Sequence, residues 1–252
     1  MKKCLVTGGA GFIGSNLVDH LLSNGHEVIV IDNESANSHN EYYWNDCCEN
    51  YKFDLSSELN LKRLISLCID VDYIFHLASD VSIQYCIQKP HSAYLNNVAS
   101  LSHVLEAARI CQVERVVFSS TAAIYGTTNS VCVETAIPDP LNPYSVSKLS
   151  GEYLMKMYYD LYNVKTVSLR YFNVYGPRQP ETGQYAPVMG IFLKQRNEGK
   201  ALTVVGDGLQ TRDFIHVSDI AAANLMVAEK DAETYGQVYN VGTGNATSVK
   251  KI

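Results

Sequence analysis

Lys3-Cys4-Leu5-Val6-Thr7-Gly8-Gly9-Ala10-Gly11-Phe12-Ile13-Gly14 sets the reading of the whole chain. Residues 3–7 suit a short buried strand. Gly8, Gly11 and Gly14 follow at three-residue spacing, and from Ser15 to Leu22 the apolar residues recur with a helical period. Asn24-Gly25 closes that helix. Glu27-Val28-Ile29-Val30-Ile31 forms a second strand ending on Asp32, which completes one βαβ unit. Glycines between a strand and a helix let backbone amides approach a pyrophosphate, whose charge is favoured at the helix N-terminus. Asp32 can accept both hydroxyls of an adenosine ribose and would repel a 2′-phosphate. Asn33-Glu34-Ser35 follow it, with no arginine. NAD is therefore favoured over NADP. A tight structural turn would explain the glycines alone, but not the strand, the helix and Asp32 around them.

The same alternation continues along the chain. A polar loop from Asn33 to Asn50 holds the only tryptophan, Trp44. Tyr51-Lys52-Phe53 predicts a short third strand, residues 57–68 a helix, and Val71 to His76 a fourth strand. Pro90 precedes a long helix over about 92–111, Glu114 to Phe118 is a fifth strand, and Lys165 to Arg170 a sixth. Strands alternating with helices predict an α/β fold with a mostly parallel, doubly wound sheet. Such sheets bind ligands outside the carboxyl ends of their strands. Gly8, Asp32, Asp54, Ala78, Thr121 and Arg170-Tyr171 are expected there. Asp54 suits an adenine amino group, and suits a helix cap or turn equally well.

After residue 175 the alternation breaks at Gly176-Pro177-Arg178-Gln179-Pro180. A helix near 187–198, a short strand within Thr211–Val217, a helix at 218–230 and a strand at 237–241 follow. This predicts residues 1–175 as a dinucleotide-binding domain and 176–252 as a smaller, partial lobe, with segments such as 214–242 interleaved with the main sheet. Thr247 to Ile252 reads as the first turn of a helix capped by Thr247. A chain stopping there is expected to be a shortened form of something longer.

Composition narrows the function classes. Hydrophobic residues make up 46% of the 252 and charged ones 18%, as in a soluble globular protein. A net charge of −6 without a basic run argues against nucleic acid. No apolar run reaches the roughly 18 residues of a membrane span, and the amino terminus does not read as a signal peptide. Seven scattered cysteines lack metal-ligand spacing and a disulfide pattern, so no metal is expected and a reducing, cytoplasmic setting is.

Asn142-Pro143-Tyr144-Ser145-Val146-Ser147-Lys148 opens another helix, since proline suits a first helical turn. Tyr144 and Lys148 are four apart and share a face. An ammonium beside a phenol lowers its pKa from about 10, which would make Tyr144 a usable base near neutral pH. Alone, such a pair is also what many solvated helices carry.

Six motifs stand in order: Thr7 to Gly14; His76-Leu77-Ala78-Ser79; Ser119-Ser120-Thr121-Ala122-Ala123-Ile124-Tyr125-Gly126; Tyr144-x-x-x-Lys148; Arg170-Tyr171-Phe172-Asn173-Val174-Tyr175-Gly176-Pro177; and Arg212-Asp213-Phe214-Ile215-His216-Val217. Together they resemble the extended short-chain dehydrogenase/reductases, in particular the NAD-dependent nucleotide-sugar epimerase/dehydratase group. The resemblance covers essentially the whole chain. It implies a Rossmann-type sheet, tightly held NAD and a nucleotide-sugar substrate, commonly UDP-linked. Tyr144 matches the catalytic tyrosine, Lys148 the lysine on the nicotinamide ribose, and Thr121 the hydroxyl bridging substrate and tyrosine. Gly8, Gly11, Phe12, Ile13, Gly14, Asp32, Asn33, Asp54 and Leu55 are the implied cofactor contacts of the first half. Leu77, Ala78, Ser79, Asn96, Ser119 and Tyr171 extend them, with Asn97 the neighbour most easily confused with Asn96. Asn173 and Arg212 match residues on the substrate diphosphate. Val188, Thr203 and Val205 fall where the nucleoside pocket is built, and Ser82 falls near the sugar. The resemblance also implies a homodimer, pairing helices 92–111 and 143–162 with their copies in a bundle.

Blander readings stand beside these. Thr121 could cap a turn, Asn173 could be a turn residue, and Arg212 could pair with Asp207 or Asp213. His76 and His216 read as structural. Among reactions, dehydratases of the group carry an Asp-Glu pair after the threonine and decarboxylases a glutamate, where this chain has Ala122-Ala123. A 4-epimerase needs no such acid: it oxidises C4, turns the keto sugar over and returns the hydride. Gly183-Gln184-Tyr185-Ala186, with the Arg170–Gln179 segment, resembles epimerases accepting N-acetylated UDP-hexoses. A dehydratase, a decarboxylase and a non-catalytic dinucleotide sensor are the alternatives. Supply of polysaccharide precursors follows by family analogy alone.

Overall fold

The computed structural model describes residues 1–36, 41–128, 130–181, 188–230 and 232–252. The stretch Gly183 to Ala186 lies outside the described residues, as do residues 37–40 of the tryptophan loop.

Strands β1 (Lys3–Thr7), β2 (Glu27–Asp32) and β3 (Glu49–Lys52) run outward from the middle of the sheet in one direction. β4 (Tyr73–His76), β5 (Arg115–Thr121), β6 (Thr166–Tyr171) and β10 (Gln237–Val241) run outward in the other. The order β10-β6-β5-β4-β1-β2-β3 is parallel at every pairing. The chain reverses its direction of growth between β1 and β4, which is where such a sheet opens a ligand crevice.

Strand alternation builds the two faces. Leu5, Ile29, Ile31, Ile74, Val116 and Phe118 point to the side covered by α2 (Leu61–Leu67), α5 (Ser100–Cys111) and α6 (Pro143–Tyr162). Cys4, Val6, Val28, Val30, Phe75 and Val117 point to the side covered by α1 (Phe12–Ser23) and α8 (Val217–Glu229). Near-continuous apolar strands are what a sheet buried on both faces requires.

Several expectations shift in detail. The third strand starts two residues earlier, at Glu49, and ends one earlier, at Lys52, because its register is set by Ile29 pairing with Glu49. The helix expected over 92–111 starts at Pro90 as α4 (Pro90–Tyr94), preceded by an unforeseen α3 (Ile83–Gln88). It then passes through a widened i→i+5 turn at Leu95–Ala99 before α5; such turns cluster at functional sites. The segment Thr211–Val217 is two strands: β8 (Thr211–Arg212), and β9 (Phe214–His216), which runs parallel to β7 (Asn173–Tyr175). Thr247 does not cap a helix. Thr247–Ser248 forms β11, antiparallel to β8, and the turn that follows begins after Ser248. Backbone pairing with β8 takes the chain before the cap can act. The remaining helix, α7 (Val188–Asn197), lies where the spacing predicts.

Candidate active site

The glycine turn is held by close contact. Gly8 has φ +68°, and a Cβ there would lie 2.7 Å from the Ala78 nitrogen; a Cβ on Gly14 would lie 2.1 Å from the Gly8 carbonyl oxygen. α1 begins after Gly11, which has no side chain to cap it. Its first-turn amides, without intrahelical acceptors, are left for an anion. Asp32 is aimed by two backbone donors, Ala10 N at 3.1 Å and Glu34 N at 2.8 Å. These features fit a dinucleotide pyrophosphate and ribose.

The turn opens onto a cavity of about 440 Å³ at the carboxyl ends of the strands. Gly8, Gly11, Phe12, Ile13, Gly14, Asp32 and Asn33 line one end. Asp54, Leu55, Leu77, Ala78, Ser79 and Asn96 line its flank, and Ser119, Thr121, Tyr144, Lys148, Tyr171 and Asn173 continue the wall. Every cofactor candidate and all three catalytic candidates therefore face one space. Ser82, Val188, Thr203, Val205 and Arg212 do not line it. The Ser82 hydroxyl caps α3, accepting from Tyr85 N at 3.0 Å. Thr203 exchanges hydrogen bonds with Gln195, and Val205 is exposed. Arg212 is exposed and donates to the Thr211 carbonyl, while Asp213 accepts from Thr243 and Gly244.

Local roles sort the remaining candidates. Asp54 makes a turn, accepting from the amide and hydroxyl of Ser56 at 2.8 Å each. Asn96 donates to the Asp80 carboxylate at 2.6 Å, beside the cavity. Asn97 is buried and structural: its amide holds the Asp80 backbone and the Ser147 hydroxyl of α6. Asn173 donates to the Asp213 carbonyl at 2.9 Å. His76 is fully buried, bonded to Thr7 Oγ1 at 2.8 Å and stacked on Phe118; burial pushes its pKa down to about 3, with Lys148 adding to the effect. His216 caps α8.

α6 carries two of the three catalytic candidates, Tyr144 and Lys148. Its start is fixed by a capping box, with Asn142 Oδ1 accepting from Ser145 N and Ser145 Oγ accepting from Asn142 N. Lys148 is buried, donates to the Ser119 carbonyl at 2.8 Å and lies 4.9 Å over the Phe118 ring. Thr121 Oγ1 accepts from Ala123 N at 3.1 Å and its side chain also hydrogen-bonds Tyr144, so it is turn cap and site hydroxyl at once. The pair's electrostatics differ from the sequence expectation. Burial pushes Tyr144 up to about 12, against the bond from Thr121, and burial pushes Lys148 down to about 7. Lys148 does not draw the phenol toward neutrality here, because its ammonium is itself desolvated and lies 6.0 Å from the Tyr144 ring centre.

Sequence reasoning missed Glu152 and Arg170 as a buried ion pair, with Nε–Oε1 at 2.9 Å and Nη2–Oε2 at 2.8 Å. It also missed Asp80, whose carboxyl is raised by burial. A glutamate one turn beyond Lys148 was the available signal. Among the described residues no cluster suits a metal ion, and no helix is long and apolar enough to cross a membrane.

Comparison with known proteins places this geometry. The model of the NAD dependent epimerase/dehydratase family matches residues 4–242. The chain is 34% identical over 254 residues to a UDP-glucose 4-epimerase of Mycolicibacterium smegmatis, covering 99% of this chain and 80% of that one. The Thermotoga maritima UDP-glucose 4-epimerase, solved with UDP-glucose, superposes with a TM-score of 0.91 at 37% identity, over 99% of this chain and 79% of that one. A UDP-N-acetylglucosamine 4-epimerase of Methanobrevibacter ruminantium, solved with UDP-N-acetylmuramic acid, gives 0.90 at 35% identity with the same coverage. With a family match spanning nearly the whole length and a glycine turn, Thr121, Tyr144 and Lys148 on one cavity, the chain belongs to the NAD-dependent epimerase/dehydratase family.

Proposed function

We propose that the protein is an NAD-dependent 4-epimerase of a UDP-hexose or UDP-N-acetylhexosamine. The observation that carries this is the convergence of Thr121, Tyr144 and Lys148 on the cavity that the glycine turn opens. Bound NAD supplies a hydride acceptor and, on the return step, a hydride donor. The protein's part is to move the proton. Thr121 links the Tyr144 hydroxyl to the sugar hydroxyl, and Tyr144 takes that proton as C4 is oxidised. Tyr144 must first be ionised; burial opposes this in the cofactor-free protein, and the hydrogen bond from Thr121 favours it. The sugar is then re-reduced on its other face as Tyr144 returns the proton. Ala122 and Ala123 form a turn beginning at Thr121 and offer only methyl groups, so neither elimination of a 6-hydroxyl nor decarboxylation has its acid there.

The test is interconversion of UDP-glucose or UDP-N-acetylglucosamine with the 4-epimer. Turnover is expected, and Tyr144→Phe should reduce it by about 10²- to 10⁴-fold while NAD stays bound. Bound NAD without turnover on any UDP-sugar would favour a sensor instead.

Asn173 is the proposed substrate contact on the cavity, with Ser82 near the sugar and Val188, Thr203, Val205 and Arg212 on the lobe side of the nucleotide-sugar site. In this reading residues 1–175 with 214–242 hold the cofactor, and the rest of 176–252 the substrate. Exposed Val146, Tyr153 and Leu161 recur on one face of α6, with exposed Tyr94 on neighbouring α4; a homodimer through these helices would cover them. Seven free cysteines suit a reducing cytoplasm. Supply of sugar nucleotides for polysaccharide assembly is the accompanying role.

A further inference from the structure

The Glu152 carboxylate is buried and does not line the cavity. It nevertheless accepts three hydrogen bonds: from Ser120 Oγ at 2.5 Å, from Arg170 Nε at 2.9 Å and from Arg170 Nη2 at 2.8 Å. Three elements meet there, since Ser120 is the penultimate residue of β5, Arg170 belongs to β6 and Glu152 to α6. The far side of Arg170 is held too: Nη1 donates to Tyr125 Oη at 2.7 Å, and that hydroxyl donates to Asn240 Oδ1 at 2.7 Å. Asn240 is anchored in turn by Glu134 and the Cys132 carbonyl.

Ser120 sits between the two residues that hold the reacting groups. Its predecessor Ser119 takes the Lys148 ammonium on its carbonyl, and its successor Thr121 bonds the Tyr144 hydroxyl. Side chains alternate along a strand, so residues 119 and 121 share one face while Ser120 points to the other, toward α6, although all three border the cavity. Glu152 lies one helical turn beyond Lys148 on α6. The tie from Ser120 to Glu152 is therefore a second, independent clamp between the same strand end and the same helix. A misplacement of an ångström at such a site costs about a hundredfold in rate, and a charge-assisted bond to a carboxylate is stronger and more directional than a neutral one.

We propose that Glu152 is a positioning residue for the reaction: through Ser120 and Arg170 it fixes the end of β5 against α6, and with it the spacing of Thr121, Tyr144 and Lys148. The turnover arm of the test rests on the epimerase reading; the other arm does not. In the cofactor-free protein carrying [ε-¹³C]lysine, the resonance absent from Lys148→Met reports the titration of Lys148, whose pKa burial pushes down to about 7. Ser120→Ala removes the hydroxyl and leaves the Glu152–Arg170 pair intact. Loosening of the strand end should admit water to Lys148 and move the midpoint up by about half a unit or more. With UDP-glucose or UDP-N-acetylglucosamine, kcat should fall about tenfold while KM stays within about twofold. Glu152→Gln should move both readings at least as far where it folds; where it does not, Ser120→Ala decides alone. An unmoved midpoint, or a kcat within about twofold of an active parent, overturns the proposal. A parent inactive on every UDP-sugar counts against the epimerase reading, and the Lys148 midpoint still decides the role of Glu152.

Discussion

The environment of Lys148 opposes its ordinary chemistry. Burial pushes its pKa down to about 7 from an ordinary value near 10.5. Between those values the unfolded chain binds a proton that the native state does not. Stability of the cofactor-free protein therefore rises with pH across that window, as proton linkage requires. Lys148→Met removes the titrating group and keeps an apolar stem of similar length. We expect its melting temperature to exceed the parent's at pH 7, and the difference to shrink toward pH 10. Differential scanning calorimetry across that range checks this. A difference that is flat with pH would mean that Lys148 is solvated in the native state.

At the scale of elements, α6 depends on its first turn. Asn142 and Ser145 cap it, and Tyr144 lies inside the capped segment. Asn142→Ala should lower stability by about 1 kcal/mol and should also lower kcat, because the turn that frays carries the reacting hydroxyl. Chemical denaturation and turnover together check this; lost stability with unchanged kcat would separate the cap from the site. Much of this helix was legible, because a proline in the first turn and the four-residue spacing of Tyr144 and Lys148 are local signals. The glycine turn and Asp32 were legible for the same reason. What escaped depends on partners distant in sequence. Ser120, Glu152 and Arg170 are ordinary residues until three elements bring them together. The widened turn at Leu95–Ala99 leaves Asn96 at the cavity and Asn97 in the core, a distinction no spacing encodes. Thr247 went wrong because its strand pairing with Arg212 is non-local. The Tyr144–Lys148 pair was found by spacing, but its electrostatics were not, since burial is a property of the fold.

At the scale of the whole molecule, the cavity joins the two halves of the sheet. Its walls take residues from the strand ends on both sides of the β1/β4 switch point, and from Asn173 and Pro180 beyond the last of them. A ligand that fills it binds the native state and has no comparable site in the unfolded chain. NAD at about a hundred times its dissociation constant should then add about 2.7 kcal/mol. For a chain of this size that is a rise in melting temperature of roughly 5–10 °C. NADP at the same concentration should give a markedly smaller rise. The Asp32 carboxylate is locked by the Ala10 and Glu34 amides, so it cannot swing away from a 2′-phosphate. Gly14→Ala should abolish the response to both, because its Cβ would lie against the Gly8 carbonyl and force open the turn that receives the pyrophosphate. Equal shifts with NAD and NADP would remove Asp32 as the selector. A full NAD shift in Gly14→Ala would mean that the dinucleotide does not bind at the glycine turn at all.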